Sequence, residues 1–315
     1  MINKKAVKKT GGLLYKLFRT VFLLGIAYII LFPLLYAITT SLKSTPDLTD
    51  PTVTWLPKSL ALQNFSYAFE AMDYANTFLF TVIVCVGSAL LQTASCAVAG
   101  YSFARLKFKG QNILFVMVIV MMILPPQALL VPMYANYSNL DFLGILSLLR
   151  RVFPSLPQIN LLNKPFVFYL PAFLGVGIRS SFMIFIYRQF FKGLPKELEE
   201  AAWIDGAGPV KTFVKIVIPS ISVAILVVFI FSIVWYWNDY QQSSMYFSET
   251  TPLAVRLVQI EYDLENISEL HLGQSVDISN YTMAGVLLFL APILFLYLFV
   301  QRRFIRGIAN TGLVG

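Results

Sequence analysis

The most informative residues of this chain lie in a short polar segment, 193–209, between two long apolar runs. Pro195 suits the first position of a helix. Three acidic residues then place negative charge near the positive end of the helix dipole; they are Glu197, Glu199 and Glu200. Gly206 and Gly208 are expected to end this helix, and Pro209 can open the next one.

The same predicted helix has a small apolar face, since Leu198, Ala201 and Ala202 follow helical spacing. Small residues permit a partner to approach closely, and carboxylates can pair with basic groups. The chemistry that this segment favours is therefore docking to another protein. A helical loop that only connects two membrane spans is the simpler alternative.

The sequence gives little evidence for a catalytic or metal-binding site. The chain has one histidine, His271, in a polar stretch, and two cysteines, Cys85 and Cys96, in one apolar run. If that run is helical, the cysteines lie roughly 16 Å apart, too far for a disulfide. No Gly-x-x-x-x-Gly-Lys-[Ser/Thr] loop occurs, so ATP hydrolysis is expected on another chain. A membrane enzyme would need a cluster of catalytic polar residues, which is not evident.

The elements that position the polar segment are apolar. Hydrophobic residues make up 57% of the 315 residues and charged residues 13%, against about 25% charge in soluble domains. Runs of about 20 apolar residues cross a bilayer as helices. Six such spans are predicted, which makes the chain an all-α, polytopic membrane protein; they cover residues 21–41, 77–100, 113–134, 166–190, 213–235 and 282–300.

The distribution of basic residues predicts the orientation. With both termini in the cytoplasm, 17 of the 24 Lys and Arg residues lie in the cytoplasmic segments. The net positive charge therefore indicates a positive-inside membrane protein and no nucleic-acid partner. The expected organisation is a basic cytoplasmic tail (1–20), a transmembrane domain (21–300) that includes the loop 192–215, and a second cytoplasmic tail (301–315). Arg150 and Arg151 fall in a long predicted outer segment, 136–165.

A transport path would need polar groups at membrane depth. The predicted spans two, three, five and six hold no ionisable residue in their interiors, which argues against a proton- or sodium-coupled carrier. Arg179 either lines a cavity beside a helix broken at Gly175 and Gly177, or reaches the outer interface. Other residues could line the path or form helix–helix hydrogen bonds; they are Gln92, Gln127, Trp235, Asn238 and Asp239. Pro125 and Pro126 are expected to kink the third span.

The polar segment resembles the signature loop of the membrane subunits of bacterial binding-protein-dependent ABC importers. The pattern is Glu200-Ala201-Ala202, then Gly206, Ile216 and Ile218-Pro219, with Ile218 where the family has Leu. Ala202-x-x-Asp205-Gly206-Ala207 also matches. Segments 101–105, 188–195, 237–239 and 301–307 resemble carbohydrate permeases of the smaller, maltose-permease-like type. The resemblance covers residues 15–315 and implies a type I ABC importer permease fold with six transmembrane helices.

The resemblance also implies how the loop works. It would be a coupling helix seated in a groove of a cytoplasmic ATPase. Glu200 would contact a basic residue of the ATPase, while Ala201 and Ala202 would allow close packing. Gly206, with Gly208, would make the turn, and Asp205 would brace the loop. Such a docked helix can transmit a two-state change between distant sites.

The implied partners are a second permease subunit in a heterodimer, two ATPase subunits, an extracellular solute-binding protein, a sugar or oligosaccharide and the lipid bilayer. ATP and Mg would bind the ATPase, and this chain would bind no cofactor. The expected location is the bacterial cytoplasmic membrane. Two alternatives stay open: the same role for another small solute such as an organic phosphate, and an ATP-independent secondary carrier.

Overall fold

The computed structural model describes residues 4–141, 144–265 and 277–311, with side chains for 15–141, 144–265 and 277–302. The described residues form helices and connecting turns and contain no strand. The helices are, in chain order, α1 Lys4–Ser41, α2 Thr45–Thr49, α3 Gln63–Ala71, α4 Tyr74–Arg105, α5 Gln111–Ile123, α6 Gln127–Ser138, α7 Ile145–Val152, α8 Phe166–Phe173, α9 Ser180–Gly193, α10 Glu197–Ile204, α11 Pro209–Thr212, α12 Ile218–Ser220, α13 Ser222–Trp237, α14 Gln241–Tyr246, α15 Leu253–Glu265 and α16 Ser279–Thr311. A π-helical turn, Phe213–Val217, joins α11 to α12.

Three continuous helices among the described residues are long and apolar enough to cross a membrane, at Tyr15–Ser41, Tyr74–Arg105 and Ser279–Arg302. Two bent helix pairs bring the number to five. Apolar runs in a bilayer must satisfy their backbone groups internally, which a helix does. The all-α, polytopic prediction is confirmed. Three of the six predicted spans, 21–41, 77–100 and 282–300, lie in continuous helices, and the other three are bent or divided.

The third predicted span, 113–134, turns sharply between α5 and α6. The two helices differ in direction by 105°, which is far more than the expected kink. Leu124, the residue before Pro125, is extended with φ −62° and ψ 131°. Proline disfavours helical geometry in the residue that precedes it and lacks an amide N–H of its own, so the Pro125-Pro126 pair ends α5.

The fifth predicted span, 213–235, is also bent, by 78° between Pro209–Ser220 and Ser222–Trp237. Pro219 removes one helical hydrogen bond, and the π-helical turn ends two residues before it, at Val217. Both features are recognised causes of helix bending. The apolar helix therefore starts at Ser222 rather than at Phe213.

The fourth predicted span, 166–190, is divided into α8 and α9. Pro171 lies inside α8 without breaking it. The helix ends at Phe173, and Gly175, two residues further on, has a φ of 74°. The Val176 amide donates to the Pro171 carbonyl at 2.9 Å, and the Gly175 amide donates to Ala172 at 3.2 Å. These bonds form a Schellman motif, the common helix end that requires a left-handed residue.

The chain divides into two compact units. The first comprises Met1–Met72 and Gln259–Ala291. Within it, the buried Asn64 amide donates to the carbonyls of Ser41 and Lys43, both at 2.8 Å. The buried Asn280 amide donates to the Lys43 carbonyl at 3.2 Å. These bonds attach the chain that follows α1 to the starts of α3 and α16.

The second unit comprises Asp73–Val258 and Pro292–Gly315. Its central helix is α4, which packs against α8, α9 and α13. Close approach of α4 to α9 depends on Gly100, because a Cβ atom there would lie 2.5 Å from Cβ of Tyr187. Cys85 and Cys96 are buried and free, as predicted.

Candidate functional site

The signature segment forms the short helix α10. It begins at Glu197, two residues later than predicted, and its three acidic residues occupy the first turn. It ends at Gly206, whose φ is 78°. The Gly206 amide donates to Trp203 at 3.0 Å and the Ala207 amide donates to Ala202 at 2.9 Å. This second Schellman motif confirms the predicted helix end.

Gly208 has a different role from the one expected. It does not end α10 but is the N-cap of α11, with φ −73° and ψ 167°. Pro209 occupies the first turn of α11, as predicted, because its missing N–H costs nothing there. Consequently only Gly206 of the two glycines needs a left-handed conformation.

The outer face of α10 is uncovered. Glu200, Ala201, Asp205 and Gly206 are exposed, and Ile204 is 87% exposed. The predicted apolar face is not buried as a unit, since of its three residues only Ala202 is buried. Neither the Glu200 nor the Asp205 carboxylate contacts a polar partner within the described part of the chain. The bracing contact expected of Asp205 is therefore not observed.

The inner face of α10 carries Glu199, for which the sequence predicted only a favourable negative charge at the start of the helix. Glu199 is 6% exposed, and its Oε1 lies 2.9 Å from Nε of Arg105 as an ion pair. The Tyr101 hydroxyl donates to Glu199 Oε2 at 3.0 Å. Arg105 also donates through its guanidinium to the Leu194 carbonyl. The segment 101–105 resembles carbohydrate permeases, but nothing in the spacing of its residues predicts the pairing of Arg105 with Glu199.

Gln92 is fully buried and does not line a path. Its amide donates to the Ile178 carbonyl at 2.9 Å and to the Ser232 hydroxyl at 3.3 Å. Its Oε1 accepts a 2.7 Å hydrogen bond from the Tyr236 hydroxyl. The helix–helix alternative is therefore the observed one. The residue joins α4 to α13 and to the break between α8 and α9.

That break borders a cavity of about 380 Å³ within the second unit. Residues 175–181 contribute to its wall, including Arg179, which is exposed and left-handed with φ 57°. Of the six path candidates only Arg179 lines this cavity. The remainder of its lining was not predicted; it includes four methionines, Tyr137, Phe168, Gln242 and Tyr246.

The four remaining candidates contact neighbouring residues; among them, Trp235 packs against the rings of Phe182 and Phe231. Gln127 donates to Oε1 of Gln241 at 3.1 Å, and the Asn238 amide donates to Val234 at 2.8 Å. Asp239 accepts from the Ser243 amide at 2.8 Å, which caps α14. Burial raises the pKa of the Asp239 carboxyl above its ordinary value, and the hydrogen bonds from Ser243 oppose this. None of the described residues forms a His, Cys, Asp or Glu cluster that could hold a metal ion.

Comparison with known proteins supports the family resemblance of the signature segment. A family model described as "Binding-protein-dependent transport system inner membrane component" matches residues 97–310. The Melibiose/raffinose/stachyose import permease protein MelC of Bacillus subtilis is 28% identical over 285 residues, covering 90% of this chain and 91% of that protein. The Arabinooligosaccharides transport system permease protein AraQ of Halalkalibacterium halodurans is 28% identical over 300 residues, covering 92% and 93%.

One solved structure resembles the whole chain. It is described as a bacterial ABC transporter involved in the import of the acidic polysaccharide alginate. The two chains superimpose with a TM-score of 0.64 at 19% identity, over 92% of this chain and 96% of the other. The likeness shows that the fold is that of an ABC importer membrane subunit.

Proposed function

Because this chain belongs to the family of binding-protein-dependent transport system inner membrane components, we propose that it is the permease subunit of an ATP-driven importer of a sugar or oligosaccharide. A chain of this family is a transport subunit and not an enzyme. ATP and its Mg bind a separate ATPase. The permease receives its cargo from a solute-binding protein outside the cell.

The surface of α10 is the observation that carries the proposal. The Glu200 carboxylate of this short helix is exposed. Two large apolar side chains of the same helix are exposed as well, Ile204 at 87% and Trp203 at 52%. Large apolar side chains beside a charged residue, outside the membrane spans, are typical of a surface that a protein partner covers. The partner proposed here is the ATPase, with Glu200 against a basic residue.

Further assignments complete the proposal. The exposed Ala201 allows α10 to approach the ATPase closely, whereas Ala202 is buried within this chain, and Gly206 ends the helix there. The chain is organised as a cytoplasmic tail (1–20), a permease domain (21–300) that holds the coupling loop 192–215, and a second cytoplasmic tail (301–315). Both termini lie on the cytoplasmic side of the bacterial inner membrane. A related permease completes a heterodimer, with two ATPase subunits below it.

The proposed cargo follows from the relatives. MelC is named for melibiose, raffinose and stachyose, and AraQ for arabinooligosaccharides. Sugars are neutral and are held by aromatic faces and by side chains that hydrogen-bond hydroxyl groups. The cavity beside the helix break offers Tyr137, Tyr246 and Gln242, with Arg179 at its wall. We assign this cavity to the transport path.

Reconstitution tests the proposal. The chain is co-expressed with its partner permease, ATPase and binding protein, and ATP-dependent uptake of radiolabelled raffinose and an arabinooligosaccharide into liposomes is followed. We expect uptake to require ATP, and Glu200→Ala and Gly206→Pro to lower it while the variants still insert. Lys109→Gln, an exposed change outside α10, serves as the control. Uptake without ATP, or indifference to both α10 variants, would point instead to a secondary carrier.

A further inference from the structure

A buried ion pair between Glu199 and Arg105 connects α10 to the end of α4, and Arg105 also contacts the chain that follows α9. The Glu199 and Arg105 side chains are each 8% exposed, and their charged atoms lie 2.9 Å apart. Tyr101 adds a 3.0 Å hydrogen bond to the same carboxylate. Through the Leu194 carbonyl, Arg105 also holds the residue that follows α9. The end of α4 therefore contacts both α10 and the chain that leads into it through an ion pair and hydrogen bonds.

Such a pair specifies position more than it stabilises the fold. Taking two charges out of water is costly, and well-packed apolar residues often replace a buried ion pair without loss of stability. The ion pair with Arg105 and the hydrogen bond from Tyr101 to the same carboxylate define the placement of α10 on α4. Glu200, the neighbouring acidic residue, points to solvent. Adjacent carboxylates of α10 therefore have different surroundings, since Glu199 is buried against this chain and Glu200 is exposed.

The helix that holds α10, α4, extends to the residues that line the cavity. α4 runs unbroken from Tyr74 to Arg105 and contains no proline. Gln92 lies 13 residues before Arg105, which corresponds to about 20 Å along a helix. There its amide holds the Ile178 carbonyl in the break between α8 and α9. One turn further on, Ser95 donates to the Ala172 carbonyl at 2.6 Å.

The side chains around the break between α8 and α9 are tightly packed. A Cβ atom on Gly177 would lie 2.4 Å from the Tyr236 hydroxyl and 2.9 Å from Oε1 of Gln92. Because packed interiors do not deform continuously, a shift of α4 must move the break or disrupt these contacts. The break carries Arg179 and other residues of the cavity wall.

We propose that Glu199 is a positioning residue that fastens α10 to α4, so that displacement of α10 on the ATPase is carried along α4 to the helix break bordering the cavity. This inference rests on the proposed function. Glu200 contacts the partner, while Glu199 passes the movement into the membrane part of this chain.

The test compares transport with ATP use in the reconstituted complex. Glu199→Gln removes the charge and keeps the size of the side chain. We expect raffinose transported per ATP hydrolysed to fall on the order of tenfold, with ATPase assembly and basal hydrolysis retained. Arg105→Gln should give the same defect, and the double variant should be no worse than either single one. Matched controls with the same charge changes are the exposed Glu70→Gln and Lys109→Gln.

A second readout reports the cavity wall directly. Ser181→Cys places a thiol in that wall, and the native Cys85 and Cys96 are buried. Its labelling by a charged methanethiosulfonate should change when ATP and vanadate trap the complex. In the Glu199→Gln background that change should disappear. A role in folding alone would lower the yield of assembled complex without altering the transport-to-hydrolysis ratio or the labelling change, and would overturn the inference.

Two outcomes separate this inference from the proposed function. If the unmodified complex transports no cargo with ATP, the proposed function fails, and this inference fails with it. If it transports and Glu199→Gln keeps a normal ratio, only the positioning role fails. Should Glu199→Gln prevent assembly, Tyr101→Phe removes one hydrogen bond and keeps the ring that packs against Phe191 and Phe213. A lower ratio in that variant supports the inference, and an unchanged ratio contradicts it.

Discussion

The Tyr236 hydroxyl donates a 2.7 Å hydrogen bond to Oε1 of Gln92, a residue 144 positions away in the chain. The Gln92 amide is used at the same time by Ile178 and Ser232. Both ends of one buried side chain are therefore satisfied by three residues from two segments, α13 and the break between α8 and α9. This arrangement holds the divided helix α8–α9 against α4 and α13, and it makes the break a defined structural feature of this unit.

Replacing Gln92 with leucine should destabilise the protein. The buried Tyr236 hydroxyl and Ile178 carbonyl would each lose a partner, at a cost of about 1–3 kcal/mol per unsatisfied group. We expect a lower Tm of the purified protein in detergent. Gln63→Leu, at an exposed position in α3, is the control and should leave the Tm nearly unchanged. Equal Tm values for the two variants would contradict the assigned role of Gln92.

Gly177→Ala should also lower the stability, for a steric reason. The added methyl group would meet the Tyr236 hydroxyl at 2.4 Å and the Ala172 Cα at 3.1 Å. Overpacking of this kind costs about 1–3 kcal/mol. Tyr236→Phe in the same background removes the closest atom and should recover part of the loss in Tm. Gly25→Ala, where nothing lies within 4 Å, should be neutral or slightly stabilising; an equal loss there would refute the steric explanation.

The effect of a substitution at Gly206 should depend only on how readily the new residue adopts a left-handed backbone conformation. Its φ is 78° and no atom lies within 4 Å of an added Cβ. Alanine in the left-handed region costs about 1–2 kcal/mol, and asparagine costs less. We expect ATPase co-purification with the permease to weaken in the order glycine, asparagine, alanine. Gly208→Ala, at a φ of −73°, should have little effect, and a reversed order would exclude the conformational cause.

Asn64→Ala should loosen the segment between α1 and α3. Asn64 is 1% exposed, and its loss leaves the Ser41 and Lys43 carbonyls without the hydrogen bonds it donates at 2.8 Å. We expect faster proteolysis between residues 43 and 62 and a loss of about 1–3 kcal/mol. Asn112→Ala, at an exposed position, controls for the loss of an amide. Unchanged cleavage in Asn64→Ala would show that these bonds do not secure the segment.

Local chemistry made several features predictable from the amino-acid sequence. Apolar runs of bilayer length must form helices, since no other continuous structure satisfies their backbone groups in lipid. The end of α10 at Gly206 follows from hydrogen bonds within five residues, and it was predicted correctly. The separation of Cys85 and Cys96 along one helix was predictable for the same reason.

Other features depend on contacts that local patterns do not encode. Two successive prolines predict a disturbed helix, but the 105° angle between α5 and α6 depends on what each helix packs against. Likewise, Glu199 and Glu200 are chemically identical neighbours of one helix. By itself, the sequence determined the helical class, the positions of the apolar runs and the termination of the signature helix. Only the tertiary structure decided that Glu199 faces Arg105, and that Gln92 binds Ile178 and Tyr236 instead of lining a path, because these partners come together only after distant helices pack.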